Sequence, residues 1–437
     1  MCVALAFDDL VEKLDRVLNG LPDHRTGQNT IYSLKDAALG AFSVFFTQSP
    51  SFLAYQRTMQ QSKGRSNAES LFGVERVPCD NHIRSLLDPI APDYVSPMFE
   101  QVFGDLEAAK ELDSFRSLNG NLHIAMDGLC YFSSKKIHCQ NCCHRTAANG
   151  VTTYFHSAIT PVVVAPGNGR VIALEPEFIV PQDGHDKQDC EQAAAKRWIN
   201  KHAGQYASKK VTLSGDDLYC KQPLCELALD RGFNFLLVCK PDSHKTLYEK
   251  IDALQANGSL SRLSIHRLTK KGLEVFTYRY ANRVPLRAGK DALWVNWCEV
   301  TVTQGTDGEV LYHNSFATNH QITDSSVHSL VCGGRTHWKI ENENNNVLKT
   351  KGYHLEHNFG HGQEYLSSFL LTLNLLAFLF HTVLDLVDEK CLLLRRTLSA
   401  RKTFFNDIRA LTRYILFESW EHLLDFMIEG LELTVPP

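Results

Sequence analysis

The sequence predicts an α/β fold: a mixed sheet with flanking helices, a mostly-β insertion, and helical N- and C-terminal regions. Three observations carry this. Residues 1–118 place apolar side chains at spacings of three and four, as in DDLVEKLDRVL and SLKDAALGAFSVFF, the period of a helix face. From Leu122 short apolar strands alternate with helical segments. Between Arg262 and Asn319 the pattern is almost purely β, in LEVFTYRYA, LWVNWCEVTVT and EVLYHNSFAT.

The first strand, LHIAM, ends at Asp127-Gly128. Two β-rich stretches follow, TTYFHSAITPVVVA and RVIALEPEFIV, joined by a turn at Pro166-Gly167-Asn168-Gly169. A helix fits Gln188 to Lys201, with Asp186 or Asp189 available as its cap. Strand KVTLS then ends at Gly215-Asp216-Asp217, and a helix near Pro223 to Arg231, strand FNFLLVCK and a helix from Ser243 complete the series. Short connections predict that the first three strands are antiparallel neighbours, and helical crossovers predict that the later ones are parallel. The polar run from Gln60 to Ser70 reads as a loop, residues 261–322 as a separate β insertion, and helix resumes near Asp324. This divides the chain into 1–118 (helical), 119–260 (core), 261–322 (insertion), 323–365 (final core helix) and 366–437 (helical).

With 44% hydrophobic and 22% charged residues the chain has the composition of a folded protein with a real core. A net charge of −4 gives no global attraction to nucleic acid, so any such surface must be a local patch. The 13 cysteines are odd in number and scattered, which suits a reducing compartment. The N-terminus lacks the basic region of a signal peptide, so a cytoplasmic protein is expected. Leu366 to Leu384 is apolar but contains Ser367, Ser368, Asn374 and His381, and reads as a buried core helix rather than a membrane span.

Asp127 and Asp216 each end a strand, and mixed sheets bind ligands beyond the carboxyl ends of their parallel strands. Aspartate is common at turns for local reasons, so the argument rests on a third carboxylate, Glu341 or Glu343, in the helical segment HWKIENENNNVLK. Three converging carboxylates can hold two divalent ions, which stabilise the attacking and leaving oxygens of phosphodiester cleavage. Mg²⁺ or Mn²⁺ suits oxygen ligands of this kind. On a helix His337, Glu341 and Asn345 share a face, while Glu343 lies about 200° from Glu341, which favours Glu341.

Over residues 120–365 the chain resembles the DDE-type insertion-sequence transposases. The resemblance is carried by MDGLCYFSS around Asp127, SGDDLY around Asp216, FNFLLVCKPDSH, and WKIENENNNVLKTKGYHLEHNFGHG around Glu341. It implies a ribonuclease-H-like catalytic core interrupted by a β insertion before the final glutamate. It also implies metal-dependent cleavage at transposon ends, strand transfer into target DNA, and a homodimer that pairs the two ends. The family's second aspartate sits three residues before an aromatic, which favours Asp216 over Asp217 because of Tyr219. Two departures concern DNA contacts. Where the family places an arginine four residues before the glutamate, this chain has His337, with Arg335 two positions earlier. The basic residue expected seven positions after the glutamate falls on Leu348, and the lysine is Lys349; one extra residue in Asn342 to Asn346 accounts for that shift. The alternatives are a related nuclease without strand transfer and an inactive, transposase-derived DNA-binding protein.

Three further features stand out. Cys139 and Cys142 have zinc-ligand spacing, and Cys143 and His144 follow directly; with no second Cys-x-x-Cys, two of His144, His156, Cys130 or Cys143 would have to complete four ligands. The alternative is a loop of reduced, unliganded cysteines. In HLEHNFGHG, His354, His357 and His361 read as part of a turn built on Gly360 and Gly362 rather than as a metal site. Eight basic residues and one acidic residue lie between Arg262 and Lys290, with Arg267, Lys270, Lys271 and Arg279 the expected phosphate contacts. A second basic segment, Lys390 to Arg413, reads as a packing surface.

Overall fold

The structure is a computed structural model and describes residues 5–26, 30–59, 66–181, 190–270 and 272–434. In chain order the strands are β1 (Arg116–Ser117), β2 (Asn121–Ala125), β3 (Gly128–Ser134), β4 (Cys143–Thr146), β5 (Thr152–Ile159), β6 (Val162–Val164), β7 (Ile172–Ala173), β8 (Glu177–Ile179), β9 (Val211–Gly215), β10 (Asn234–Val238), β11 (Ser261–Thr269), β12 (Gly272–Pro285), β13 (Trp294–Gln304) and β14 (Val310–Thr318). The main sheet has the order β11-β12-β13-β14-β10-β9-β2-β6-β7, with β1 beside β2. β6 is antiparallel to β2, and β9 and β10 run parallel to it, each reached through a helix, Glu191–Tyr206 and Gln222–Asp230. The result is a mixed α/β protein whose sheet is flanked by helices.

Two expectations need correction here. Residues 261–318 do not fold apart: β14 pairs antiparallel with β10, Leu237 opposite Ala317, so these strands extend the main sheet. An unpaired β10 edge would leave a row of backbone N–H and C=O groups open, and β14 satisfies them. The aromatics Phe276, Tyr278 and Tyr280 on β12 pack a second core with Val300, Phe316 and Leu330. The two early β-rich stretches are also not two strands. Each switches sheets at a proline, Pro161 and Pro176, which has no N–H to give to a ladder. Their halves β5 and β8, with β3 and β4, make a second four-stranded sheet.

The helical regions supply the main core. Leu34–Phe46 is buried on nearly every side, capped by the Ser33 hydroxyl accepting from Asp36 N at 2.9 Å. It packs against Leu366–Val387, which is long and apolar enough to cross a membrane but is mostly buried inside the protein. Residues 60–65 of the expected polar loop, and Asp186 and Asp189, lie outside the described residues; Ser66 caps a helix, Asn67–Phe72, where loop was expected to continue. In the second basic segment Lys390 pairs with Glu421 and Asp425, and Arg409 donates to the carbonyls of Thr47 and Gln48.

Candidate functional site

Asp127 sits one residue beyond Met126, at the carboxyl end of β2. Ala125 lies opposite Ser214 of parallel β9, so the two chains leave the sheet side by side and deliver Asp127 and Asp216 to the same edge. The Asp127 carboxylate accepts from Gly128 N at 2.9 Å, and Asp216 accepts from Leu218 N at 2.8 Å in a tight turn. That turn needs Gly215, because a Cβ there would lie 2.9 Å from the Tyr219 ring.

Glu341 arrives from a different part of the chain. The expected helix is not a regular α-helix: Val327–Arg335 is followed by a π-helical turn, Ile340–Asn345, and then by Asn346–Thr350. A π turn is how one extra residue is absorbed in a helix. It spans most of the polar run Asn342 to Asn346, and beyond it Leu348 is buried and Lys349 partly exposed. The Asn345 amide donates to Glu341 Oε2 at 3.3 Å, and Thr160 Oγ1 donates to Asn345 Oδ1 at 3.2 Å. Thr160 N in turn donates to the Asp127 carbonyl at 3.2 Å, so one chain of contacts joins the two acidic residues.

The electrostatics show which charges meet. Burial, followed by the charges of Glu191, Asp216 and Glu341, holds the Asp127 carboxyl up to about 7. Glu191 is raised by burial and by Asp216, and its Oε2 lies 3.4 Å from the Tyr219 hydroxyl. Among the described residues no lysine or arginine pairs with any of these four carboxylates. Glu191 was not among the sequence candidates: an acidic residue in a helix's first turn is ordinary there, and nothing local marks it. His337 lies near Asp216, which opposes the lowering of its pKa by burial.

The competing residues face elsewhere. Glu343 interacts with Lys339, whose ammonium donates to the Ala165 and Asn168 carbonyls on the far side of the segment. Asp217 Oδ1 accepts from Lys240 N at 2.7 Å and lies 3.4 Å from His244.

Among the described residues, the groups whose ligand atoms all lie within 4.8 Å of one another are two Cys/His sets, and the carboxylates form neither. One is Cys220, Cys239 and His244, buried and one short of four ligands. The other is Cys139, Cys142, His156 and His361, a complete set that can hold a metal ion. The ligand set expected from sequence is corrected here. Cys143 Sγ turns to the Ile179 carbonyl at 3.8 Å, and exposed His144 on β4 lies beside the Tyr154 ring. Alternation puts Cys143, opposite Phe155, on the face away from His156, whereas His144, opposite Tyr154, shares the face of His156 but stands further along the strand beside the Tyr154 ring. His361, read as part of a turn, is brought in from 205 residues beyond His156.

The expected DNA contacts separate. Arg267 and Lys270 are exposed on β11 and its turn, and Lys271 lies outside the described residues. Arg279 pairs with Glu299 directly across the strand pair, at 2.6 and 2.9 Å, so its charge is already engaged. Arg335 stacks over Tyr312 at 4.3 Å. The sequence matches no protein-family model, and no curated protein matches it.

Proposed function

We propose that this chain is a DDE-type DNA transposase with a ribonuclease-H-like core, in which Asp127, Asp216 and Glu341 hold a divalent cation, Mg²⁺ or Mn²⁺. The observation that carries the reading is geometric: Asp127 and Asp216 leave adjacent parallel strands at one edge of the sheet, and Glu341, from a distant helix, is tied to Asp127 through Asn345 and Thr160. The sheet order β7-β6-β2-β9-β10, antiparallel on one side of β2 and parallel on the other, supports the ribonuclease-H-like assignment. The uncompensated negative charge fits a hard cation with oxygen ligands. When bound, such a cation neutralises phosphate charge and lowers the pKa of a bound nucleophile.

The chain's own groups then have defined tasks. The N–H groups of Gly128 and Leu218 orient the two aspartates, and the Asn345 amide orients Glu341. Glu191, raised by burial and by the charge of Asp216 and hydrogen-bonded by the Tyr219 hydroxyl, supplies a fourth carboxylate beside Asp127 to serve as the general base. Exposed Arg267 and Lys270 supply phosphate contacts, and two copies of the chain pair the transposon ends. The test is a strand-transfer assay with the inverted repeats that flank the gene, target DNA and Mg²⁺. Joined products support the reading. Cleavage without joining moves it to a nuclease, and binding without either moves it to a DNA-binding protein.

A further inference from the structure

Four soft donors converge beside the second sheet. The Sγ atoms of Cys139 and Cys142 are 3.9 Å apart and the Nε2 atoms of His156 and His361 are 3.1 Å apart. The sulfur–nitrogen separations are 3.5 Å (Cys139–His156), 3.3 Å (Cys142–His156) and 3.4 Å (Cys142–His361). A tetrahedral zinc ion with its usual bond lengths needs about 3.8 Å between sulfurs, about 3.3 Å between nitrogens and about 3.6 Å between unlike donors. These five of the six edges fall close to those values, and the sixth, Cys139 to His361, lies within 4.8 Å.

The surroundings prepare the same atoms. His361 Nδ1 lies 2.8 Å from the Gly362 carbonyl and donates to it, leaving the Nε2 lone pair to face the cluster. Cys139 N donates toward Cys142 Sγ at 3.5 Å, closing the loop around the sulfurs. Phe132 covers His361 with ring centroids 4.4 Å apart, and Tyr131 stacks on His156. Cys142, His156 and His361 are buried. Sulfur with imidazole in a closed tetrahedral set, lacking an open position, selects zinc for structure over catalysis.

We propose that Cys139, Cys142, His156 and His361 bind one Zn²⁺ that clasps the segment following the Glu341 helix to the second sheet. The cysteines belong to the loop between β3 and β4, and His156 to β5. His361 lies in the connection from Thr350 to the helix Leu366–Val387. That connection is fixed on its other side by Asp88, whose carboxylate accepts from the backbone N–H groups of Gln363, Glu364 and Leu366. Zinc therefore joins the strand that begins at Gly128, beside Asp127, to the chain that leaves Glu341. The inference stands independently of the transposase reading, because four ligands and a fold carry it rather than an activity.

The test begins with elemental analysis of the full chain purified without chelator, where one zinc per chain is expected. Replacing zinc by Co²⁺ should give the visible bands of a tetrahedral thiolate site. His361→Ala and Cys142→Ser should each lose the metal, whereas His144→Ala should keep it. A zinc-free parent, or zinc kept by His361→Ala and lost by His144→Ala, overturns the proposal. Should a variant not fold, the parent decides the matter by itself. Extracting its metal should accelerate tryptic cleavage at Lys135 and Lys136, in the loop that the cysteines close, at least tenfold relative to other sites. Unchanged cleavage at those lysines overturns the clasp.

Discussion

The carboxylate of Glu191 lies directly against Gly128: a Cβ at that glycine would fall 2.4 Å from the glutamate's Cδ. Glycine at 128 thus makes room for a fourth acidic group next to Asp127. Gly128→Ala should displace the flexible Glu191 side chain while changing stability by no more than about 1 kcal/mol. Cation-dependent DNA cleavage should fall at least tenfold. In a double-mutant cycle with Glu191→Gln the two losses should not add, because they remove the same placement. Additive losses would show that Gly128 acts elsewhere.

Asp127→Asn and Asp216→Asn should fold, bind transposon ends and fail to cleave them, since each removes a cation-binding charge at nearly constant shape. Asp217→Asn should cleave within a few-fold of the parent, because Asp217 is occupied by Lys240 N and His244. Cleavage by the Asp127 or Asp216 variant within tenfold of the parent would remove that residue from the site.

Glu341→Gln should abolish cleavage and Glu343→Gln should only moderate it. Glu341 contributes charge at Asp127 and is held by Asn345, whereas Glu343 faces Lys339. Asn345→Ala should resemble a mild Glu341 variant, with a weakened cation requirement as its signature. The reverse ranking of the two glutamates, in folded variants, would exchange their roles.

Stability without metal should depend on pH through Asp127. Its carboxyl is raised from 3.8 to about 7 in the folded protein, first by burial and then by Glu191, Asp216 and Glu341. Between those values the folded state binds more protons than the unfolded state, so this contribution is lost as pH rises through the window. At about 1.4 kcal/mol per unit the loss is at most ~4 kcal/mol. Asp127→Asn should therefore stabilise the chelator-treated protein at pH 8 and have little effect at pH 3.5. Denaturant unfolding at the two pH values checks this, and an equal effect at both would refute it.

Arg267→Gln and Lys270→Gln should each reduce the salt dependence of DNA binding, by about 0.9 in the log–log slope for every phosphate that the protein no longer neutralises. Arg279→Gln should leave the slope unchanged, because Glu299 already neutralises it, and should instead destabilise the β12–β13 pair. A slope change on Arg279→Gln would mean that DNA displaces Glu299.

Much of the sheet was legible because strands announce themselves locally. LHIAM, KVTLS and FNFLLVCK are short apolar runs bounded by turn residues, and their connections dictate direction. Gly128–Ser134 was not legible as a strand, since CYFSS has neither clean alternation nor a strong apolar run. The fate of β14 was equally hidden: its own residues say strand, but only the open edge of β10 says where it pairs. Glu191 and His361 share a different obscurity. A helix-first-turn glutamate and a histidine in a glycine-rich bend are both ordinary in sequence, and their importance comes from what lies across from them.

The sequence by itself determined the strand-end positions of Asp127 and Asp216 and the separation of Glu341 from Glu343 around a helix. These follow from backbone period and local spacing, which neighbours in the chain impose on one another. Tertiary structure alone decided that Glu191 joins the acidic group, that Arg279 is spent on Glu299, and that His156 and His361 rather than Cys143 and His144 complete the cysteine cluster. Each of those outcomes depends on which distant segments share a small volume. Burial and charge then act over a few ångströms of space, whatever number of residues separates the partners along the chain.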